Sequence, residues 1–489
     1  MTDSKDHQPS IIDTLDPTDW GAFEQAVRHT LSASVRKMKS ASDGPVWTPP
    51  TDDLKARLNQ PLPIEGMDTQ TVSEALIELL PYGVGNTHPR FFGWVHGSGT
   101  PGNLLADIAA SAINANCGGR DHVGTYVERQ VIDWCKSLFD FPETASGLIV
   151  SGTSMATIIA AKTARDAALN FDNRKAGLGT HALVGYTSVQ AHSCLARAFD
   201  MTGLGSDALR AIPVNADHML DVKALNDAIA TDRAAGLVPF FLAGTAGTVN
   251  TGAIDDLAQL ATIALDEKLW FHVDGAFGAS GITSEAVAPR LRGIEQADSL
   301  AFDFHKWMHV NYDAGCVLIR DQDLHRRAFA NRPDYLAANG RALAGGDPWP
   351  VDFGPELSRG FRALKVWAHF LEHGTQKIGD MITKNCEQAS YLGTLVERNS
   401  NLELLAPVSL NICCFRFVGD RMNEQQLDDL NAEIVAELQT RGIAAPSTTR
   451  LDGRLALRVN LTNHRTQLTD IDMLHDAVNR LGRELSESG

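Results

Sequence analysis

The chain has 489 residues, and its 60 acidic side chains outnumber 43 basic ones, for a formal net charge of −17. That balance opposes nucleic acid or an anionic membrane as the main partner. At 44% hydrophobic residues the chain can bury a sizeable core, and its seven cysteines, irregularly spaced and without a CxxC pair, point to a reducing, cytoplasmic setting and away from zinc.

Residues 1–15 read as a loose polar tail without the basic start and apolar core of a signal peptide. Apolar residues at helical spacing (Phe23, Val27, Leu31, Val35) predict a helix from Asp16 to about Lys39, and a second is expected over 70–80. Between them "SDGPVWTPPTDD" breaks the pattern with Pro and Gly. The first expected domain, 1–90, is therefore a helical arm unable to build a core alone. From about 92 the texture changes. Short β-rich runs ("GLIVSG", "ALVGYTS", "LRAIPV", "VPFFLAGT", "LWFHVDGA", "SLAFDF", "AGCVLIRD") alternate with helical stretches. This predicts a large α/β domain over 91–372, with a mainly parallel sheet covered by helices on both faces. Long helices are expected over 356–398. "ICCFRFVGD", "LALRVNLTN" and two amphipathic helices (423–441, 467–482) then predict a small α+β domain at 373–489. No apolar run reaches the roughly 20 residues of a spanning helix.

Five stretches could carry chemistry. "GSGTPG" (97–102) fits the GxGxxG pattern of a nicotinamide-dinucleotide site, or is a Gly-rich turn where backbone passes close to a neighbour. "SGTSMAT" (151–157) follows an apolar strand and opens a helix, so its N–H groups and hydroxyls suit a phosphate; an ordinary N-cap is the alternative. "QAHSCLARA" sets His192 just before a helix, and "HVDGAF" sets Asp274 at the end of a strand, the edge where open α/β sheets bind ligands. In "DFHKWMHVNYDAG", Lys306 lies in an apolar setting, where lysine is seldom found unless paired. A phosphate-type turn, a histidine, an acid and a lysine, each at or beyond a strand end, are the four groups pyridoxal 5′-phosphate needs: a phosphate seat, a flat partner for its ring, a carboxylate for its pyridine nitrogen and an amine for its aldehyde. No metal-ligand pattern accompanies them.

With "HPRFFG", "QAHSCLARA", "HVDGAFGAS", "ADSLAFDFHKWMHVNYDAG" and "GFRALKVW" in this order, the sequence resembles the pyridoxal-phosphate-dependent group II amino-acid decarboxylases, the family of aromatic-L-amino-acid, histidine and glutamate decarboxylases. The resemblance runs from about 80 to 375 and more weakly to the end. It implies the fold-type-I α/β architecture of pyridoxal-phosphate enzymes and a homodimer with sites at the subunit interface. It makes Lys306 the Schiff-base lysine, Asp274 the partner of the pyridine nitrogen, Ala276 the residue beneath the ring and His192 the residue stacked on its other face. Thr153 and Ser154 match the phosphate turn, Thr248 lines the cofactor, and Asp303 and His305 fall within its shell. Tyr335, in a lid-like stretch over 330–350, stands where decarboxylases carry the tyrosine that reprotonates Cα; aldehyde-forming relatives have phenylalanine there.

The side-chain pocket departs from the aromatic-substrate pattern. Trp94 keeps an aromatic ring, but His96, Asn114 and Asn116 are polar, and Arg120 follows. An aromatic amino acid is the expected substrate. A polar or acidic one is the rival, since Arg120 could pair with a second carboxylate, or else with Asp121 across an interface. An aldehyde synthase or lyase on the same scaffold, a nicotinamide dehydrogenase and a non-enzymatic interaction protein complete the alternatives.

Overall fold

The computed structural model describes residues 14–331, 341–419 and 422–488, which form two compact units. The first covers 14–41 and 48–84 and holds the helices Trp20–Lys39, Asp52–Leu58 and Thr69–Leu79. Each starts on a side-chain cap: Asp19, Thr51 and Asp68 accept from Ala22, Leu54 and Thr71 N–H. Thr30 and Ser73 join the two longer helices through a 2.7 Å hydroxyl contact. Little apolar surface is buried here; Val27, Val35, Val72 and Leu76 are exposed.

The second unit contains two sheets. The larger has the strand order β2-β8-β7-β6-β5-β3-β4, once β1 (Phe91–Phe92) is counted elsewhere. Its members are β2 (Ser146–Val150), β3 (Leu183–Ser188), β4 (Leu209–Ile212), β5 (Val238–Thr245), β6 (Trp270–Asp274), β7 (Ser299–Asp303) and β8 (Gly315–Ile319). All neighbours are parallel except β8, which runs antiparallel to both β7 and β2. Strands β6, β7 and β8 are apolar and buried almost throughout, as a sheet covered on both faces requires. Register then decides what shares an edge. Thr245 pairs Asp274, and both Asp303 and Val150 pair Gly315, so the ends of five strands meet along one rim.

The smaller sheet has the order β1-β11-β12-β10-β9, with β9 (Leu402–Leu404), β10 (Ile412–Phe417), β11 (Ala445–Leu451) and β12 (Arg454–Asn460). It packs against the helices Glu424–Thr440 and Leu468–Ser488. Within the run "RFFGWV" only Phe91–Phe92 form a strand, and they pair with β11. "GSGTPG" therefore lacks the strand–turn–helix setting of a dinucleotide site, and the dehydrogenase reading falls. It is a turn of close backbone approach: a Cβ on Gly97 would lie 2.1 Å from the His305 carbonyl, and Gly99 (φ +62°) packs on Asn311.

A buried ion pair fixes the β2 end of the rim. Arg359, 3% exposed, binds both Glu128 carboxylate oxygens at 2.7 and 2.9 Å and donates to the Ile149 and Cys117 carbonyls. Glu128, on the helix Val123–Leu138, also accepts from Ile149 N–H at 3.0 Å. Removing one partner leaves the other charge uncompensated in the interior. Arg359→Met should lower the unfolding free energy by about 3–5 kcal/mol in urea titrations. A loss under about 1 kcal/mol would mean that the pair does not brace this end of the sheet.

Candidate active site

The rim gathers Lys306, Asp303, Asp274, Thr153 and His305. Asp303, the last residue of β7, is 2% exposed. Its Oδ1 accepts from Thr153 N–H at 2.7 Å and its Oδ2 lies 2.7 Å from Lys306 Nζ. Thr153 is the first residue of the helix Thr153–Ala168, whose N-cap, Gly152, provides no side-chain cap. The hydroxyl of Thr153 is buried and has no hydrogen-bond partner. A long helix whose N-cap has no side chain, and whose first turn keeps an orphaned hydroxyl beside the Asp303 contact, is suited to receive an anionic group. Ser154 follows it and is exposed.

Burial alone would lower the Lys306 pKa. The Asp303 carboxylate, helped by Asp274, outweighs that effect and holds Lys306 above the ordinary lysine value. Asp274 is itself buried, and burial pushes its pKa up, opposed by the Ala276 N–H, Lys306 and His192. Its Oδ1 accepts from Ala276 N–H at 3.1 Å, and Cys194 Sγ lies 3.6 Å from Oδ2. Burial, then the Asp274 charge, raises the Cys194 pKa and keeps it a thiol. This leaves Asp274 with a weak thiol donor on one oxygen, room for a stronger cationic donor.

His192 is exposed and its Nδ1 accepts from Cys194 N–H at 3.2 Å. It is close enough to Asp274 to stabilise that charge, while Ala276 is half-buried on the following turn. His305 is 7% exposed, fixed by Ala314 N–H donating to Nδ1 at 3.1 Å, and held mainly neutral by burial. Thr248 is buried; its hydroxyl meets Thr251 Oγ1 at 3.0 Å rather than the lysine.

The mouth is walled by rings. His305 lies 4.4 Å from Tyr312, Tyr312 6.2 Å from His96, and His96 5.9 Å from Trp94 and 5.6 Å from Phe91, centroid to centroid. Burial, and secondarily Lys306 and His305, lower the His96 pKa, so its imidazole is neutral. Three contributors were missed in the sequence. Cys194 gave no signal. Tyr312 sits inside the lysine motif but reads as a loop residue. Arg458 interrupts the apolar pattern of β12, which is a signal. It is 3% exposed, donates to the Trp94 and Val249 carbonyls, and keeps a buried Nη2 without a partner. No carboxylate pairs with it among the described residues, and burial pushes its pKa down to about 10.

Asn114, Asn116 and Arg120 lie apart from this cluster. Asn114 ends the helix Asn103–Ile113 with φ +46° and is exposed. Asn116 Oδ1 accepts from Gly118 and Arg359 N–H. The Arg120 guanidinium stacks 4.7 Å from the Trp349 ring centroid, and Asp121 accepts from Tyr126, so the two do not pair within the chain. Tyr335 lies outside the described residues. Among the described residues no cluster of three or more metal-ligating side chains occurs, and no helix is long and apolar enough to cross a membrane.

Residues 50–418 match the family described as the pyridoxal-dependent decarboxylase conserved domain. An aromatic-L-amino-acid decarboxylase of Bacillus atrophaeus is 33% identical over 454 residues, 90% of each chain. An L-2,4-diaminobutyrate decarboxylase of Rhizobium meliloti (strain 1021) is 28% identical over 99% of this chain and 96% of the relative. Among solved structures, the Oryza sativa TDC with PLP and tryptamine superposes with a TM-score of 0.88 at 25% identity, over 97% of this chain and 100% of that one. The fold they share is the α/β architecture described above.

One glycine keeps the rim closed. A Cβ on Gly315, the first residue of β8, would lie 2.6 Å from both Asp303 Oδ1 and Gly152 Cα. Gly315→Ala should therefore push the Thr153 turn off Asp303 and cost about 1–3 kcal/mol of stability. Chemical denaturation checks the cost. A neutral substitution would show that β7 and the turn are not held at van der Waals contact.

Proposed function

Because the chain belongs to the pyridoxal-dependent decarboxylase family, we propose that it removes the α-carboxylate of an L-amino acid with an aromatic side chain, giving the amine and carbon dioxide. The enzyme class and its cofactor, pyridoxal 5′-phosphate, follow from the family; the substrate and the residue roles are our reading. When bound, pyridoxal phosphate supplies the electron sink for the pair left behind when carbon dioxide departs. Lys306 is the attachment lysine and Asp274 holds the proton on the pyridine nitrogen. His192 and Ala276 flank the ring. Thr153 and Ser154 receive the phosphate, Thr248 supports the wall behind it, and Asp303 and His305 set the charge and orientation of the lysine segment. The observation that carries this reading is the lysine itself, a half-buried ammonium in the field of two buried carboxylates at a sheet rim.

For the substrate, support comes from the rings of Trp94, His96 and Tyr312, backed by the buried Phe91, which offer ring faces and neutral polar edges. A second reading, an amino acid with an acidic side chain, is favoured by Arg458, the buried cation below Trp94. The purified protein should release carbon dioxide and amine from an aromatic L-amino acid with kcat/KM at least about tenfold above that for glutamate or 2,4-diaminobutyrate. The reverse order supports the second reading, and aldehyde with peroxide in place of amine supports an aldehyde synthase. Lys306→Ala should abolish turnover, and borohydride should fix the cofactor to Lys306 in the wild-type chain. A label on any other lysine sinks the assignment.

A homodimer belongs to the same reading. The helix Asn103–Ile113 exposes Leu105 (72%), Ile108 and Ile113, and the neighbouring helix Arg362–Glu397 exposes Leu371 (60%). A patch of this kind needs a cover; a second copy provides one and would bring Asn114, Asn116 and Arg120 to the partner's site. Leu105→Asp with Ile108→Asp should yield monomers in light scattering and lose activity. A variant that stays dimeric would place the interface elsewhere.

A further inference from the structure

We propose that Asp303 is the proton acceptor for Lys306 when the cofactor attaches, and that it then faces the phosphate as a neutral acid. The inference rests on Lys306 as the attachment lysine.

Two demands meet at this carboxylate. An amine bonds to an aldehyde carbon only as the free base, so Lys306 must first lose one proton. Asp303 Oδ2, at 2.7 Å, is the only acceptor in contact with Nζ among the described residues. The other groups facing Lys306 are worse placed to receive it. Asp274 acts through its field alone and has an oxygen tied to Ala276 N–H. Tyr312 already carries its proton, and His96 and His305 are imidazoles that burial holds neutral, with His305 Nδ1 occupied by Ala314 N–H. The second demand comes from the helix Thr153–Ala168. Its first N–H is taken by Asp303 Oδ1 at 2.7 Å, so an ionised Asp303 would stand beside the phosphate at the same helix end. Like charges at one buried site oppose each other strongly.

A single transfer meets both demands. The proton leaves Nζ and joins Oδ2. The free amine forms a carbon–nitrogen double bond with the aldehyde carbon, and the aldehyde oxygen leaves as water with the two remaining amine hydrogens. Asp303 becomes neutral, Oδ1 still accepts from Thr153, and the new O–H can donate to the phosphate. The proton stays inside the protein. Backbone crowds the carboxylate on the β8 side, where a Cβ built on Gly315 would lie 2.6 Å from Asp303 Oδ1. The raised Lys306 pKa is consistent with a proton that needs a local acceptor rather than direct loss to water.

The test counts protons. Calorimetric titration of the wild-type chain with pyridoxal phosphate, in buffers of different ionisation enthalpy, gives the protons exchanged per cofactor bound. Asp303→Asn and Asp303→Ser cannot retain the proton and should release about one more per cofactor than wild type at the same pH. Asp303→Glu should restore the wild-type count. Infrared difference spectra of the wild-type chain should gain a protonated-carboxyl band on binding, and Asp303→Asn should lack it if it folds. Equal counts in wild type and the Asn variant overturn the proposal, as does a wild-type spectrum without that band. So do Asn and Ser variants that melt like wild type but take up no cofactor, since Asp303 would then be needed for seating rather than for the proton. A wild-type chain that binds no pyridoxal phosphate would refute the attachment reading itself, a separate failure.

Discussion

The site depends on one carboxylate holding two elements together. Asp303 ends a buried strand, and from there it reaches the first N–H of a 16-residue helix and the ammonium of Lys306, each at 2.7 Å. The close approach of β7, β8 and the Thr153 turn depends on Gly315, where a Cβ would lie 2.6 Å from both Asp303 Oδ1 and Gly152 Cα. An ionised side chain in such a place costs several kcal/mol unless paired. Here the pairing partner is Lys306, the proposed attachment lysine, so on that reading the electrostatic demand and the functional one coincide.

The sheet explains why these groups meet. Five parallel neighbours deliver their carboxyl ends to one rim, and the antiparallel β8 begins there with Gly315 opposite both Asp303 and Val150. Asp274 and Asp303 come from adjacent strands, which sets their side chains on one rim at different depths. Arg359 and Glu128 hold the β2 end of this arrangement by a buried bidentate pair, far in sequence from the residues they steady.

Much of this could be read from the sequence, for physical reasons. Strands buried on both faces are continuous apolar runs, so "LWFHVDGA", "SLAFDF" and "AGCVLIRD" announce β6, β7 and β8, and a lone acid or lysine just beyond such a run stands out. Interactions between distant segments leave no such trace. Nothing in "QAHSCLARA" says that Cys194 approaches Asp274, nor does "GFRALKVW" hint that Arg359, just before it, grips Glu128. "RFFGWV" is strand-like by local β-propensity, which does not name a partner; only two of its residues form a strand, and they pair with β11. "GSGTPG" misleads for a related reason. Glycines that admit a pyrophosphate and glycines that admit the backbone at His305 satisfy the same pattern, and only the neighbour distinguishes them.

Arg458 bears on the substrate by an argument of charge. A guanidinium 3% exposed with no carboxylate partner among the described residues is held at a cost, and burial already lowers its pKa to about 10. An incoming carboxylate would remove that cost. Every amino acid brings its α-carboxylate, so the cation by itself does not select an acidic side chain. Selection falls to what lines the rest of the mouth. There the groups are Phe91, Trp94, His96 and Tyr312, and the two that titrate are held neutral there, His96 by a lowered pKa and Tyr312 by a raised one. Within one chain these rings carry no charge of their own, so a ring would meet faces to stack on and polar edges to hydrogen-bond, and a second carboxylate would depend on a cation from elsewhere, such as Arg120 of a second copy. The proposed aromatic substrate rests on this contrast between one buried cation and neighbouring rings held neutral.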